Sequence, residues 1–178
     1  MRLVDKRPKV SRREVLAAGG AALVAATVTP AGVVMGKAWA ATPAALKPET
    51  FATLVQMSRD IYPHDNFADA LYATAVEGLD KAAKGDAGTK KLLEDGVSVL
   101  DAAAQKAHKM PYDQVGWELD RVILLRAIEK DPFFQKVRGH LVTGLYNQPK
   151  VWTLLGYEGE SASKGGYIDR GFDDINWI

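Results

Sequence analysis

The sequence predicts an all-α protein, an irregular bundle of five or six helices that ends in an extended tail rich in glycine and aromatic residues. From residue 48 onward, apolar residues recur at the three-four spacing of amphipathic helices. Prolines and glycines separate these stretches at helix-length intervals. No stretch alternates apolar and polar residues with the period of two that marks a half-buried strand. These three observations set the fold class.

The first 40 residues have the order of a cleaved secretory signal. Six basic residues among the first 13 precede a stretch from Val15 to Met35 that holds no charged residue. Ala38 and Ala40 then supply the small side chains that a signal peptidase accepts, so cleavage is expected between Ala40 and Ala41. Residues 41–47, which are rich in alanine and proline, are predicted to form a linker.

A pair of arginines narrows the export route. Ser11, Arg12 and Arg13 are followed by Val15 two positions on, which resembles the twin-arginine motif with valine in place of the usual phenylalanine. A general-secretion signal and an uncleaved membrane anchor are the alternatives, although glycines and Pro30 interrupt a membrane span. We expect the twin-arginine translocase to export this chain to the periplasm.

Composition excludes several classes of function. The chain has no cysteine, which excludes disulfides, covalently attached haem, iron–sulfur clusters and cysteine zinc sites. Without residues 1–40, the formal charge falls from +1 to −4, because seven of 23 Lys and Arg and two of 22 Asp and Glu are removed. The remaining chain of about 138 residues suits one domain with a modest core. A mildly acidic domain is a poor candidate for nucleic-acid binding, which needs a basic face.

Four helices are expected before residue 130. They run from Pro48 to the turn at Pro63, over about 67–83, over about 89–109 and over about 114–129. In the fourth, the apolar run 122–125 would also fit a strand. The flanking charges of Arg121, Arg126 and Glu129 and the absence of turn residues favour a helix.

Two further helices and the tail complete the chain. Asp131 is predicted to cap a fifth helix with Pro132 at its first position, and a short sixth helix over 151–155 stops at Gly156. The tail, 156–178, carries Tyr157, Tyr167, Phe172 and Trp177 among glycines. These aromatic rings need burial. They either pack across their own bundle or dock on another protein.

The candidate chemical groups are few. His64 with Asp65 and Asp69 is the candidate metal site, and His64 with His140 the candidate ligand pair of a non-covalent haem. Neither set has the spacing of a known metal motif, and turn capping is the competing role for His64. No serine lies in a G-x-S-x-G turn. We therefore expect no catalytic residue, cofactor or metal in this chain.

Three segments together carry a resemblance to a known family. They are the turn at 59–65 (Arg-Asp-Ile-Tyr-Pro-His-Asp), the stretch from Tyr146 through Pro149 to Trp152, and the glycine and aromatic tail from 155 to 177. With the leader ahead of them, they resemble the gluconate 2-dehydrogenase subunit 3 family. The resemblance spans residues 48–178 and is strongest in the tail, where this chain has the short form of the stretch before the final tryptophan.

The resemblance implies a non-catalytic small subunit of a periplasmic, membrane-associated dehydrogenase that acts on a sugar, sugar acid or alcohol. The large subunit would be a FAD-dependent flavoprotein of the glucose–methanol–choline type, exported by the small subunit's leader. A third subunit, a multihaem cytochrome c, would carry haem c. Tyr157, Tyr167, Phe172 and Trp177 are then the expected partner interface. The alternative is a free-standing periplasmic helical bundle that binds a non-covalent haem or a metal.

Overall fold

A computed structural model of the chain describes residues 27–29, 32–34, 43–169 and 172. The predicted leader motif at Ser11, Arg12 and Arg13 and the cleavage positions Ala38, Ala40 and Ala41 lie outside these residues, as does Trp177. Two three-residue strands, β1 (Thr27–Thr29) and β2 (Gly32–Val34), pair antiparallel with Thr27 opposite Val34.

Six α-helices follow in the described part of the chain, which confirms the predicted all-α bundle. They are α1 (Pro48–Ile61), α2 (Asp69–Gly85), α3 (Ala87–His108), α4 (Glu118–Ala127), α5 (Pro132–Gly144) and α6 (Pro149–Leu155). Single 3₁₀ turns lie at Tyr112–Gln114 and Ala162–Lys164. The described part of the chain holds no helix that is both long and apolar enough to cross a membrane.

Local chemistry explains the helix boundaries. Pro48, Pro132 and Pro149 stand in the first turns of α1, α5 and α6, where the missing N–H costs nothing. The Asp131 carboxylate caps α5 by accepting from the Phe133 N–H, as the sequence predicts. Gly156 ends α6 with a φ of 72°, a left-handed conformation that glycine adopts without strain.

Several predicted boundaries are wrong by a few residues, among them the start of α6, which is Pro149 and not residue 151. Helix α2 begins at Asp69, not near residue 67, because Phe67 belongs to the preceding turn. Helix α3 begins at Ala87, since the Asp86 carboxylate caps it by accepting from the Gly88 and Thr89 N–H groups. The fourth helix is divided, because an extended stretch at 115–117 separates the 3₁₀ turn from α4. The apolar run 122–125 lies within α4 and is helical.

The core forms where α2 packs against α1, α3 and α5, while α4 lies across α1 and α3. Its largest fully buried side chains are Tyr72, Tyr112, Phe133, Leu54, Met57, Leu79, Leu93, Leu100, Leu141 and Leu145. The approach of α5 to α3 depends on Gly96, where a Cβ atom would lie 2.1 Å from Cγ of Phe133. Only a hydrogen atom fits there, so the packing of α5 against α3 requires glycine at this position.

The predicted linker is fastened to the bundle over its second half. The Asp80 carboxylate of α2 accepts hydrogen bonds from the N–H groups of Ala44, Ala45 and Leu46, at 2.6, 3.0 and 2.8 Å. Leu46 is buried in the core. These three bonds hold the pKa of Asp80 below its usual value, although its burial alone would raise that pKa. The chain therefore enters the bundle in a fixed position at residue 44.

Candidate functional site

The turn after α1 is the first part of the candidate site. Helix α1 ends at Ile61 because Pro63 cannot continue it. Arg59, on the last turn of α1, holds the following loop: its Nε donates to Asp69 Oδ1 at 2.6 Å and its Nη2 to the Phe67 carbonyl at 2.6 Å. The same guanidinium lies 4.6 Å from the ring centre of Tyr72, in cation–π geometry. One arginine thus fixes the turn to the start of α2.

Five rings gather around this turn and form what we call the aromatic cluster: Tyr62, His64, Phe67, Tyr72 and Tyr146. His64 stacks on Phe67 at 4.2 Å between ring centres, and Tyr62 meets Tyr146 edge-on at 5.6 Å. His64 Nε2 lies 2.7 Å from the Tyr146 hydroxyl, across 82 residues of sequence. The cluster therefore joins the turn at 59–65 to the end of the bundle.

The polar atoms of the aromatic cluster bond mostly to one another. The Tyr72 hydroxyl donates to the Tyr62 carbonyl at 2.7 Å and accepts from the His64 N–H at 3.3 Å. Burial, and then the nearby Arg59 charge, lower the pKa of His64. Burial raises the pKa of Tyr72 to about 12 and also raises that of Tyr146. These pKa shifts favour the uncharged forms of His64, Tyr72 and Tyr146.

The tail begins beside the aromatic cluster. Trp152 of α6 donates its indole N–H to the Tyr146 carbonyl at 2.7 Å, and its ring meets Tyr157 edge-on at 5.7 Å. A Cβ atom on Gly159 would lie 3.4 Å from the Trp152 ring, so the tail backbone passes close over the indole. The three segments that carry the family resemblance thus meet at one end of the bundle.

The tail leaves large apolar side chains in solvent. Tyr157, Tyr167 and Phe172 are 48%, 54% and 78% exposed, and Ile168 is 83% exposed. Leu154 and Leu155, at the end of α6, are about half exposed beside them. Among the predicted interface residues, Tyr157 makes a ring contact with Trp152 of α6. The tail and the end of α6 together form an exposed apolar surface.

In the structure, most of the residues predicted as metal or haem ligands bond to other protein groups. His64 bonds to Tyr146, Asp69 pairs with Arg59, and Asp65 lies exposed in the turn. His140 Nε2 lies 2.9 Å from the Ala75 carbonyl, and its ring fills the space above Gly78 on the facing helix. No group of three His, Asp or Glu side chains within the described ranges could hold a metal ion.

A buried ion pair beneath the turn is absent from the sequence-based prediction. Arg121 of α4 donates through Nε to Asp60 Oδ2 at 2.7 Å and through Nη2 to Oδ1 at 2.9 Å, while the Tyr112 hydroxyl donates to Oδ2 at 2.7 Å. Asp60 and Arg121 are 6% and 2% exposed. A local signal exists, because Arg121 falls one helical turn before the apolar Leu125 and therefore faces the core.

No protein-family model, curated protein or solved structure matches this chain.

Proposed function

We propose that this protein is the non-catalytic small subunit of a periplasmic FAD-dependent dehydrogenase complex, and that it exports and stabilises the flavoprotein subunit. The observation that carries the proposal is the exposed aromatic tail, which starts at the aromatic cluster and is held there by Trp152. The family resemblance supplies the identity of the partner.

The exposure of the tail favours a partner protein as its binding surface. Contiguous exposed apolar surface is uncommon on monomeric proteins and marks interaction sites. Tyrosine and phenylalanine are large anchors with few rotatable bonds, so they contribute much of the binding energy at interfaces. Tyr157, Tyr167 and Phe172 supply three such rings within 16 residues.

The base of the tail is ordered before any partner binds. Gly156 turns the chain, the Tyr157 N–H donates to the Trp152 carbonyl at 2.8 Å, and Gly159 packs on the indole. Preorganisation of this kind reduces the conformational entropy that binding must overcome.

The twin-arginine leader fits a subunit that escorts a folded partner. That route carries folded cargo, and a flavoprotein that binds FAD in the cytoplasm must travel folded. The small subunit would supply the leader and the surface that binds the flavoprotein, and the flavoprotein would supply the catalytic centre. The complex would reside in the periplasm and attach to the membrane through a multihaem cytochrome c subunit.

The proposal is tested by co-producing the chain with a candidate FAD-dependent flavoprotein of the glucose–methanol–choline type and measuring FAD-loaded protein in the periplasm. Deletion of residues 165–178 should abolish co-purification and export of the flavoprotein. The triple variant Tyr157→Ala, Tyr167→Ala, Phe172→Ala should reduce recovery at least tenfold. Val99→Ala is the matched control, because Val99 is an apolar residue 63% exposed on α3, and it should leave recovery unchanged.

Two results would contradict the proposal. One is a periplasmic flavoprotein recovered at normal yield with the tail deleted. The other is normal export of both proteins when Arg12 and Arg13 are replaced by lysine, because the lysine pair should block the twin-arginine route. A haem absorption band or a stoichiometric metal in the purified chain would instead support the free-standing haem or metal bundle.

A further inference from the structure

A second surface lies on the other side of Tyr62 from the aromatic cluster. It is a pocket of about 350 Å³ between the end of α1 and the facing sides of α4 and α5. We call it the arginine pocket. Its apolar walls come from Tyr62, Phe134, Val122 and Leu125, and two guanidinium groups, from Arg126 and Arg138, line it as well. The volume falls within the range of sites that accept a side chain or a small ligand.

The charges of the arginine pocket are unbalanced. Asp60 also lines it, but both oxygens of that carboxylate accept from Arg121, so Asp60 attracts little further positive charge. In the described part of the chain, neither Arg126 nor Arg138 makes a salt bridge. Among the described residues that line the pocket, Glu129 is the remaining carboxylate that opposes them.

This combination selects a carboxylate. A guanidinium presents paired N–H donors that match the two oxygens of a carboxylate. Tyr62 and Phe134 add aromatic surface for an apolar neighbour. A ligand that fits therefore has a carboxylate next to a large apolar group, which is the chemistry of an acidic residue within an apolar stretch of polypeptide.

We propose that the arginine pocket is a docking site for an acidic side chain, flanked by apolar residues, of the partner subunit. This inference rests on the proposed function for the identity of the partner. Tyr62 belongs to both surfaces, because its ring lines the pocket and contacts Tyr146 of the aromatic cluster. The arginine pocket thus adjoins the aromatic cluster, and the tail begins beside that cluster at Trp152.

The first experiment measures affinity for the co-purified flavoprotein. The double variant Arg126→Gln, Arg138→Gln should weaken binding at least tenfold and lose most of the salt dependence of the wild-type complex. Glu129→Gln should tighten binding severalfold, because it removes the carboxylate that competes for the arginines. Lys130→Gln, a change of an exposed cation outside the pocket, is the matched control and should leave the affinity unchanged.

Opposite changes of affinity in the arginine and glutamate variants would separate docking from a general loss of stability. The thermal unfolding curves of the wild type and the three variants should be superimposable. Equal effects of the Lys130 and arginine variants, or no effect of the arginine variants, would overturn the proposal.

A second experiment needs no flavoprotein. The full-length chain is titrated with acetyl-Leu-Glu-Phe-amide and with acetyl-Leu-Gln-Phe-amide, and the side-chain N–H resonances of Arg126 and Arg138 are followed by NMR. Shifts caused by the glutamate peptide alone support the pocket. Equal shifts from both peptides, or none from either, refute it. If wild-type chain recovers no flavoprotein, the proposed function fails, while this titration still decides the pocket.

Discussion

Replacing Asp60 by asparagine should destabilise the domain more than any other single polar substitution on α1. The change keeps the shape of the side chain and removes its charge. Arg121, at 2% exposure, then loses the carboxylate that accepts from its Nε and Nη2, and it keeps the bond to the Val115 carbonyl at 2.6 Å and the charge of nearby Glu118. The Tyr112 hydroxyl also loses its charged acceptor, and the amide group would place N–H donors against donors.

The expected loss is a large share of the total stability. Removing one partner of a buried ion pair costs about 3–5 kcal/mol, whereas a domain of this size is stable by about 5–15 kcal/mol. Tyr112→Phe removes a single hydrogen bond to a charged group and should cost about 1.5–3 kcal/mol. Asp65→Asn, an exposed change in the following turn, should stay within about 0.5 kcal/mol.

Urea unfolding followed by far-UV circular dichroism at pH 7 measures these differences as shifts of the midpoint at constant slope. The double variant Asp60→Asn, Arg121→Met should lose less free energy of unfolding than the sum of the two single variants, because neither Asp60 nor Arg121 then stays buried and charged without the other. The expected coupling is about 1–3 kcal/mol. A loss below about 1 kcal/mol for Asp60→Asn, or additive single effects in the double variant, would refute the reasoning.

Two further predictions concern packing and pH, and the same unfolding assay checks both. Gly96→Ala should lower the free energy of unfolding by about 1–3 kcal/mol, because its methyl group would overlap the Phe133 ring. Gly139→Ala is the control, since a methyl group there meets no atom within 4 Å in an exposed helical position. It should raise the free energy of unfolding by up to about 1 kcal/mol. Asp80→Asn should cost about 1–3 kcal/mol at pH 7. Because the folded-state pKa of Asp80 is lowered, its contribution is full above the unfolded pKa, near about 4, and is lost as pH falls below that value. The variant should lack this acid-induced loss, and Asp65→Asn should retain it. A Gly96→Ala variant as stable as wild type, or an Asp80→Asn variant with an unchanged acid profile, would contradict these accounts.

The sequence predicts the helices well where local chemistry decides them. Pro48, Asp131 with Pro132, and Gly156 mark boundaries that the structure reproduces. The sequence predicts helix boundaries less well at Asp86, whose capping role depends on a turn conformation, and at 115–117, where the backbone stays extended. There the Val115 carbonyl accepts from Arg121, so a contact from α4 helps to hold a shape that periodicity does not show.

The candidate site divides in the same way. The sequence marks Tyr157, Tyr167 and Phe172 as aromatic residues in a glycine-rich tail, and the described tail leaves these rings about half exposed or more. It does not show that His64 meets Tyr146, or that the turn at 59–65 and the base of the tail share one end of the bundle. Those contacts join residues far apart in the chain.

By itself, the sequence determined the all-α class, most helix ends and the composition of the tail, because periodicity, caps and glycine act over a few neighbouring residues. Only the tertiary structure decided which charged side chains are structural. Asp60 and Asp65 stand five residues apart, yet one is buried against Arg121, 61 residues away, and the other lies in solvent. The physical reason is that a carboxylate can be buried only where a distant segment supplies its partner.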